Sequence, residues 1–361
     1  MKGLLPLHNP RPAGTRLGEE ISETASIVRA NVRRASLSHS SEPYGSHLIQ
    51  PADIRNFTWD DFNAVFDARA AVTGIPASDA DEARSHFRAR LELPGADPTD
   101  NVFIAVRSGG VVGCAIVAVE TAIDRAVGEF GVTESARGRG VGRSLLERLE
   151  QRSTEAGVAV HQVNVHHSDT RLRSIMEAAG YSRIRTFNEL KYRPAPAYLE
   201  ADYRPLPAGV TLRPFRTGHD ERALADVQNI AFEGSFGFAP NTPEQIAGYV
   251  ATRGAPGDIL IAEDDASGEV IGYVWTSVST GSAESPESTG MIEMTGVRPD
   301  QRGRGVGSAV IAAGLRHLRE RGVGVVDLEV DDENVSARRI YRDLGFKKVG
   351  EQFWFEKRLA G

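Results

Sequence analysis

Residues 297–308 read VRPDQRGRGVGS and join the end of a strand, MIEMTGV, to the start of a helix, AVIAAGLRHLRERG. The downstream apolar residues recur at helical spacing, with arginine and histidine near the end. Glycines let the backbone approach a ligand closely, and the first turn of a helix offers free N–H groups and a partial positive charge. The stretch therefore suits a pyrophosphate group, although a glycine-rich turn without a ligand is the alternative at this point.

The same string, RGRGVG, occurs at residues 137–142, so the interval from Arg137 to Arg302 is 165 residues. At that interval Val132 falls on Val297 and Gly180 falls on Gly345, and no gap is needed between them. A period this long exceeds that of solenoid repeats. It indicates the duplication of a whole domain.

A chain of 361 residues is long enough for two domains, each with its own core. Each half alternates helical stretches with a strand hairpin and a glycine turn, which predicts an α/β fold with a mixed sheet. Residues 181–192 and 346–359 are expected to supply the closing strands of the two halves. The predicted boundaries are an extension at 1–45, a first domain at 46–193, a proline-rich linker at 194–209 and a second domain at 210–361.

Lys+Arg total 42 against Asp+Glu 49, a formal net charge of −7, which argues against general nucleic-acid binding. The one cysteine, Cys114, lies in the apolar run VVGCAIVAV, so we expect a buried strand residue and no disulfide framework. No apolar run reaches the roughly 20 residues of a membrane span. The N-terminus shows no secretory signal, and we expect a cytoplasmic chain without a metal site.

The spacing of the glycines distinguishes between the known phosphate-binding turns. Gly303, Gly305 and Gly307 are spaced by two, with Ser308 where the dinucleotide pattern needs its third glycine, and no P-loop lysine follows. The arrangement RxxGxG after a strand ending in valine resembles the acetyl-CoA signature of the GNAT superfamily of N-acetyltransferases. LEVDDENVSARRIYRDLGF, residues 328–346, resembles that family's downstream motif. The resemblance covers residues 46–193 and 210–361.

The resemblance implies two GNAT-like acyl-CoA N-acyltransferase domains in tandem, with acetyl-CoA as the cofactor and room for one molecule per domain. The residues that it assigns to cofactor binding are Val297, Arg302, Gly303, Arg304, Gly305, Val306, Gly307, Ser308 and Asn334, with Val132, Arg137, Gly138, Arg139, Gly140, Val141 and Gly142 in the first half. Asn334 has a helix cap as its alternative role.

Tyr341 stands at the family's tyrosine position and is the candidate acid for the leaving thiolate, with a core tyrosine as the alternative. Strand alternation would place Met291, Glu293, Thr295 and Val297 on one face. Glu293 is then the candidate base, although family members often carry this glutamate two residues earlier, at the position of Met291. A water-mediated role and a surface glutamate are the alternatives.

The interval of 165 residues maps Tyr341 onto Met176, Asn334 onto Asp169 and Glu293 onto Gly128. Methionine cannot protonate a thiolate. We therefore expect the first domain to bind CoA without catalysis and the second domain to carry the chemistry.

The acceptor pocket is expected to use Phe236, Phe238 and Trp275, with core packing as the alternative. The acidic run 331–333 either attracts an ammonium group or is a solvated turn. The resemblance implies direct acetyl transfer, in a ternary complex, to a primary amine of a small molecule. A CoA-binding sensor or scaffold without turnover and a protein N-acetyltransferase remain as alternatives, and the oligomeric state stays open.

Overall fold

The structure is a computed structural model that describes residues 52–75, 77–93, 95–193, 204–253, 256–279 and 288–359. The predicted extension at 1–45 and the linker residues 194–203 lie outside these ranges. Residues 204–209 contain no helix or strand.

The first half follows the predicted order of elements. Its strands are β1 (Asp53–Asn56), β2 (Val102–Arg107), β3 (Gly110–Glu120), β4 (Arg125–Val132), β5 (Val160–His166) and β6 (Ser182–Tyr192). Its helices are α1 (Phe62–Thr73), α2 (Ala80–Leu91), α3 (Pro98–Asn101), α4 (Val141–Glu155) and α5 (Thr170–Ala178). Cys114 is buried in β3, as predicted.

The second half repeats this order, with a short 3-10 helix at Pro256–Asp258 in the place of α3. Its strands are β7 (Val210–Pro214), β8 (Ile259–Asp264), β9 (Val270–Ser279), β10 (Thr289–Val297), β11 (Val325–Asp331) and β12 (Lys347–Arg358). Its helices are α6 (Glu221–Ala231), α7 (Pro243–Arg253), α8 (Val306–Glu320) and α9 (Val335–Asp343). Thr242 caps α7 through a reciprocal pair of hydrogen bonds with Gln245, a capping box.

The strands of the described residues form one mixed sheet in the order β1-β2-β3-β4-β5-β12-β6-β11-β10-β9-β8-β7. Helices cover both faces. A Cβ on Gly290 would meet Leu318 of α8, whereas one on Gly296 would meet Ala231 of α6. We call the face under α1, α2, α6 and α7 the front face and the face under α4, α5, α8 and α9 the rear face.

The last strand of each half lies in the other half, which corrects the expectation that each half closes its own sheet. Strand β12 pairs with β5 of the first half, and β6 pairs with β11 of the second half. The two exchanged strands also pair with each other, antiparallel, at the centre. Each is a single long strand rather than the strand pair predicted for residues 181–192.

Candidate active site

Both glycine turns have the backbone conformation that their sequence predicts. Gly303 and Gly305 have φ angles of 78° and 90°, and Gly138 and Gly140 have φ angles of 73° and 82°. Only glycine adopts such angles without strain. No atom lies within 4 Å of the place where a Cβ would stand at any of the four. The outer side of each turn is therefore open to a ligand.

Helices α8 and α4 begin directly after these turns, at Val306 and Val141, and neither N-cap has a side-chain hydrogen bond. The first helical bond of α8 runs from Ala309 N to Gly305 O. The N–H groups of Val306, Gly307 and Ser308 therefore point out of the positive end of the helix. The hydroxyl of Ser308 donates to Gly305 O, 2.9 Å away, and tightens the first turn.

The first arginine of each turn braces the loop. Arg302 donates from Nε to Val297 O at 3.3 Å and from Nη2 to Ala231 O at 2.7 Å. Arg137 repeats the first bond, from Nε to Val132 O at 3.2 Å. Arg304 hydrogen-bonds to the side chain of Gln301. Arg302 was expected near the pyrophosphate, and its bonds to two carbonyls make it a support of the turn.

Two parallel strands part beside each turn. Strand β10 pairs with β11 only from Thr289↔Val325 to Met291↔Asp327, and both strands continue beyond that point. In the first half β4 and β5 pair from Arg125↔Val160 to Gly128↔Val163 and then part in the same way. The parting exposes strand backbone to a ligand between the strands. Each half thus has a slot that leads from its glycine turn into the sheet.

Tyr341 lies on α9 against the rear core of the second half, 5% exposed, with its ring edge-to-face on Phe346 at 5.5 Å. Burial raises its pKa above the ordinary value of 10. The hydroxyl therefore keeps its proton at neutral pH, which is the form that an acid needs. Asn334 caps the same helix, since its Oδ1 accepts from Ala337 N at 3.1 Å.

The expectation that Met291, Glu293, Thr295 and Val297 share one face is wrong. A β-bulge between Ile292 and Met294 interrupts the pairing of β10 with β9. Ile292 belongs to the rear core, whereas Met294 packs into the front core. The extra residue of a bulge shifts the alternation by one, so positions before and after it change faces.

The carboxylate of Glu293 nevertheless lies on the front face. Its Oε1 accepts a hydrogen bond of 2.5 Å from Ser277 Oγ. Ser277 alternates along β9 with Trp275, which belongs to the front core, and so faces the same side. Glu293 thus shares the front face with Met291, which lies opposite Ser277, whereas the bulge places Thr295 and Val297 on the rear face.

A second carboxylate, Glu329, reaches the front face at the same slot and was missed in the sequence. It lies on β11, two residues beyond the last pair with β10, between Leu328 and Val330 of the rear core. Directly across the sheet stands the buried Glu189 of β6. The apolar alternation of the run VVDLEV was the signal that could have identified Glu329.

The three aromatic residues predicted for the acceptor pocket occupy three different environments. Phe236 lies on the front face over the exchanged strands, with ring centroids 5.8 Å from Trp354 and 6.2 Å from Phe187. Phe238 stacks on Phe232 at 5.4 Å, beside the end of α6. Trp275 is 2% exposed in the front core, so the structure gives it a packing role instead of a pocket wall.

The first half differs at each position equivalent to Tyr341, Asn334 and Glu293. Met176 is fully buried in the rear core, and Asp169 caps α5 through Leu172 N at 2.8 Å. At Gly128, a Cβ would overlap the ring of His161. That ring is buried, with Nδ1 2.6 Å from Tyr181 Oη. Gly128 therefore faces the rear core, and the front-face carboxylate of this strand is Glu129, which is ion-paired with Arg69 and Arg90.

These features fit acetyl-CoA on the geometry of the chain itself. The open glycine turns and the N–H groups of the first helical turn suit the pyrophosphate. The parted strands suit the extended pantetheine arm, which can hydrogen-bond to strand backbone. Both halves have these features. They differ in the residue on the helix that follows the slot, Tyr341 in the second half and Met176 in the first. They also differ in their front-face carboxylates, because Glu129 of the first half is ion-paired with Arg69 and Arg90, whereas Glu293 accepts from a serine.

Comparison with known proteins assigns the same class to both halves. The sequence model of the Acetyltransferase (GNAT) family matches residues 222–346, and that of an Acetyltransferase (GNAT) domain matches residues 98–183. The chain belongs to the GNAT family of acetyltransferases and carries two GNAT domains in tandem.

Among its relatives are two mycothiol acetyltransferases. The one from Stackebrandtia nassauensis is 32% identical over 269 residues, which cover 73% of this chain and 84% of the relative. The one from Saccharomonospora viridis is 32% identical over 314 residues, covering 82% and 97% of the two chains.

Solved structures show the same fold. A tandem GNAT protein from the clavulanic acid biosynthesis pathway superposes with a TM-score of 0.67 at 18% identity, covering 86% of this chain and 99% of that one. A GCN5-related N-acetyltransferase from Sphaerobacter thermophilus gives 0.65 at 23% identity, with 86% and 96% covered. The tandem arrangement predicted from the duplicated glycine turn is confirmed.

Within the described ranges no helix is long and apolar enough to cross a membrane. The same residues contain no cluster of three or more His, Cys, Asp or Glu side chains that could hold a metal ion.

Proposed function

We propose that this acetyltransferase transfers an acetyl group from acetyl-CoA to a primary amine of a small molecule, with the chemistry in the second domain. The observation that carries the proposal is the asymmetry of the two slots. Tyr341 and the serine-bonded Glu293 stand at the second slot, whereas Met176 and a carboxylate ion-paired with two arginines, Glu129, stand at the first. The relatives named mycothiol acetyltransferase support a small-molecule acceptor.

When bound, acetyl-CoA supplies the activated acetyl thioester. The N–H groups of Val306, Gly307 and Ser308 would hold its pyrophosphate, with Arg302 keeping the turn in shape. Tyr341 holds a proton at its hydroxyl for the leaving sulfur, because burial keeps that hydroxyl neutral. Direct transfer then needs a base on the front face to take the proton of the amine.

We assign that base to Glu293, whose orientation is fixed by the hydrogen bond from Ser277. Glu329 is the rival carboxylate on the same face. The variants Glu293→Gln and Glu329→Gln separate them through the pH profile of kcat/KM. Loss of the acidic limb in Glu293→Gln alone supports the assignment, and loss in Glu329→Gln alone transfers the role to Glu329.

The test of the proposal is the release of CoA thiol from acetyl-CoA in the presence of a panel of small amines and an amine-bearing peptide. Removal of an acid catalyst typically costs about 10²–10⁴-fold in rate, so Tyr341→Phe should lose that much kcat. The matched control is Met176→Leu, a volume-conserving change at the equivalent position of the first half. A larger loss in Met176→Leu would place the chemistry in the first half, and turnover with the peptide alone would favour a protein acetyltransferase.

We further propose that each domain binds one acetyl-CoA and that the first site has no turnover. Both glycine turns share their φ angles and helix ends, which supports two sites. Native mass spectrometry of the full chain should show two molecules of CoA per chain. A single molecule, lost in Gly305→Ala and retained in Gly140→Ala, would restrict binding to the second domain.

A further inference from the structure

Arg185 is a residue of the first half whose guanidinium forms ion pairs with carboxylates of the second half. It lies on β6, the exchanged strand that pairs with β11. Its Nε lies 3.0 Å from Asp331 Oδ2, its Nη2 2.9 Å from the same oxygen, and its Nη1 2.6 Å from Glu333 Oε2. Asp331 ends β11, and Glu333 lies in the turn between β11 and α9. Two carboxylates of the acidic run 331–333 are thus paired with an arginine, while residues 332 and 333 remain exposed to solvent.

The same guanidinium also reaches the loop that follows α6. It lies over the ring of Phe236, 5.4 Å from the centroid. A second arginine of the first half, Arg125, donates from Nη2 to the carbonyl of Gly237 at 2.7 Å and lies over Trp354 at 5.9 Å. The loop at residues 235–238 is therefore held against the first half by a hydrogen bond from the Arg125 side chain to a backbone carbonyl and by the packing of Phe236.

Strand β6 also forms hydrogen bonds with the β11–α9 turn at Asp332. Asp332 N donates to Thr186 O at 2.9 Å, and Asn188 Nδ2 donates to Asp332 Oδ1 at 2.7 Å. The turn leads directly into Asn334, the N-cap of α9, and α9 carries Tyr341. A shift of this turn would therefore shift the start of the helix that positions the tyrosine.

The first half repeats the backbone bond, from His167 N to Glu351 O at 2.9 Å, but its sequence does not repeat the arginine and its two carboxylates. The residue equivalent to Arg185 is Gly350, where a Cβ would overlap the carboxylate of Glu189. The positions equivalent to Asp331 and Glu333 are His166 and Ser168. The backbone bond is therefore common to both halves and belongs to the fold, whereas the ion pairs of Arg185 are particular to the second half.

We propose that Arg185 is a positioning residue for the acetyl-transfer site of the second half. It fixes the start of α9, and with it Tyr341, relative to the loop at 235–238 on the acceptor side. The inference rests on the proposed function. Its physical basis is that a bidentate guanidinium has a fixed fork, so it sets the separation of the groups that it joins.

The kinetic test compares Arg185→Met with Arg183→Met. Arg183 is exposed on the same strand and lies over Phe353 on the rear face, 4.6 Å from the ring centroid, so it provides a matched loss of one arginine. Misplacement by about 1 Å can cost on the order of 10²-fold, so kcat/KM for the amine should fall by about 10–100-fold in Arg185→Met. The KM for acetyl-CoA should stay unchanged, and Arg183→Met should remain near wild type.

Two further variants test whether Arg185 acts through its planar guanidinium and through Asp331. Arg185→Lys keeps the charge and loses the fork, so it should recover only part of the activity. If Arg185 acts through Asp331, the loss in the double variant Arg185→Met/Asp331→Asn should be smaller than the product of the two single losses. Equal losses in Arg185→Met and Arg183→Met, or multiplicative effects with Asp331→Asn, would overturn the proposal.

Hydrogen–deuterium exchange of the full chain tests the clamp independently of turnover. Arg185→Met should accelerate exchange in segments 235–242 and 331–338 and leave the glycine turn at 302–308 unchanged. Absence of amine-dependent turnover in the wild type would refute the proposed function, while this exchange pattern would still support the clamp. Unchanged exchange in both segments would refute the clamp itself.

Discussion

Replacement of the buried histidine of the first half, His161→Asn, should flatten the dependence of stability on pH. The ring is completely buried, and its Nε2 has no hydrogen-bond partner among the described residues. Nδ1 lies 2.6 Å from the hydroxyl of Tyr181, which donates to Glu150 Oε1 at 3.0 Å. Asparagine can reproduce the contact at Nδ1, and it cannot take up a proton.

The magnitude follows from the environment of the ring. Burial lowers the pKa of His161 from the ordinary value of 6.5 to about 3, and the charge of Lys357 acts in the same direction. Between these two values the unfolded chain binds more protons than the folded one, so stability falls as pH falls from about 6.5 towards 3. From pH 8 to pH 5 this single group removes about 2 kcal/mol of the free energy of unfolding.

The assay is urea unfolding at pH 8 and at pH 5, followed by circular dichroism. The comparison uses the difference between the two pH values, because any packing lost in His161→Asn is the same at both. Wild type should lose about 2 kcal/mol more than His161→Asn between pH 8 and pH 5. The control His86→Asn, at an exposed position of α2, should keep the wild-type dependence. An identical pH dependence in wild type and His161→Asn would refute the reasoning.

Two other predictions follow from the fold. Gly305→Ala forces a φ of 90° on alanine, so it should lower the free energy of unfolding by about 1–2 kcal/mol and raise the KM for acetyl-CoA. Its control, Gly322→Ala, has a φ of 79° after α8 and should lose similar thermal stability while the KM stays unchanged. Removal of residues 347–361 deletes β12 and leaves β5 and β6 without their shared partner. The exposed strand edges should cause aggregation, which size-exclusion chromatography would detect. A monomer with the wild-type melting temperature would contradict the exchange of strands.

The sequence was sufficient for much of the fold. The repeated string RGRGVG predicted the duplication, and helix and strand periodicity predicted the order of elements around each turn. It did not predict the exchange of β6 and β12. A repeat at a constant interval shows which strands exist, but both halves offer the same edge, so the sequence alone does not decide which copy each strand joins.

Strand β10 shows a different limit of prediction from sequence. Periodicity assumes an unbroken ladder, and one extra residue between Ile292 and Met294 reverses every later position. The bulge therefore moved Thr295 and Val297 to the face opposite Met291 and Glu293. Glu329 stood in a regular strand, so the same rule would have found it. For Tyr341 the downstream motif predicted the position, and only the packing of the rear core revealed that its hydroxyl is kept protonated.

The exchange of strands explains how the first half, for which we propose no turnover, remains necessary to the second. The slot of the second half lies between β10 and β11, and the far edge of β11 is paired along Val326–Asp331 with β6 of the first half. That same strand supplies Arg185 to the turn before Tyr341. The first half can lose the tyrosine, as Met176 shows, because its own slot is not where these contacts act. It cannot lose β6, since the second slot would then have a free edge in place of a wall. The two halves are therefore one structural unit, and our proposal places the chemistry of that unit in the second slot alone.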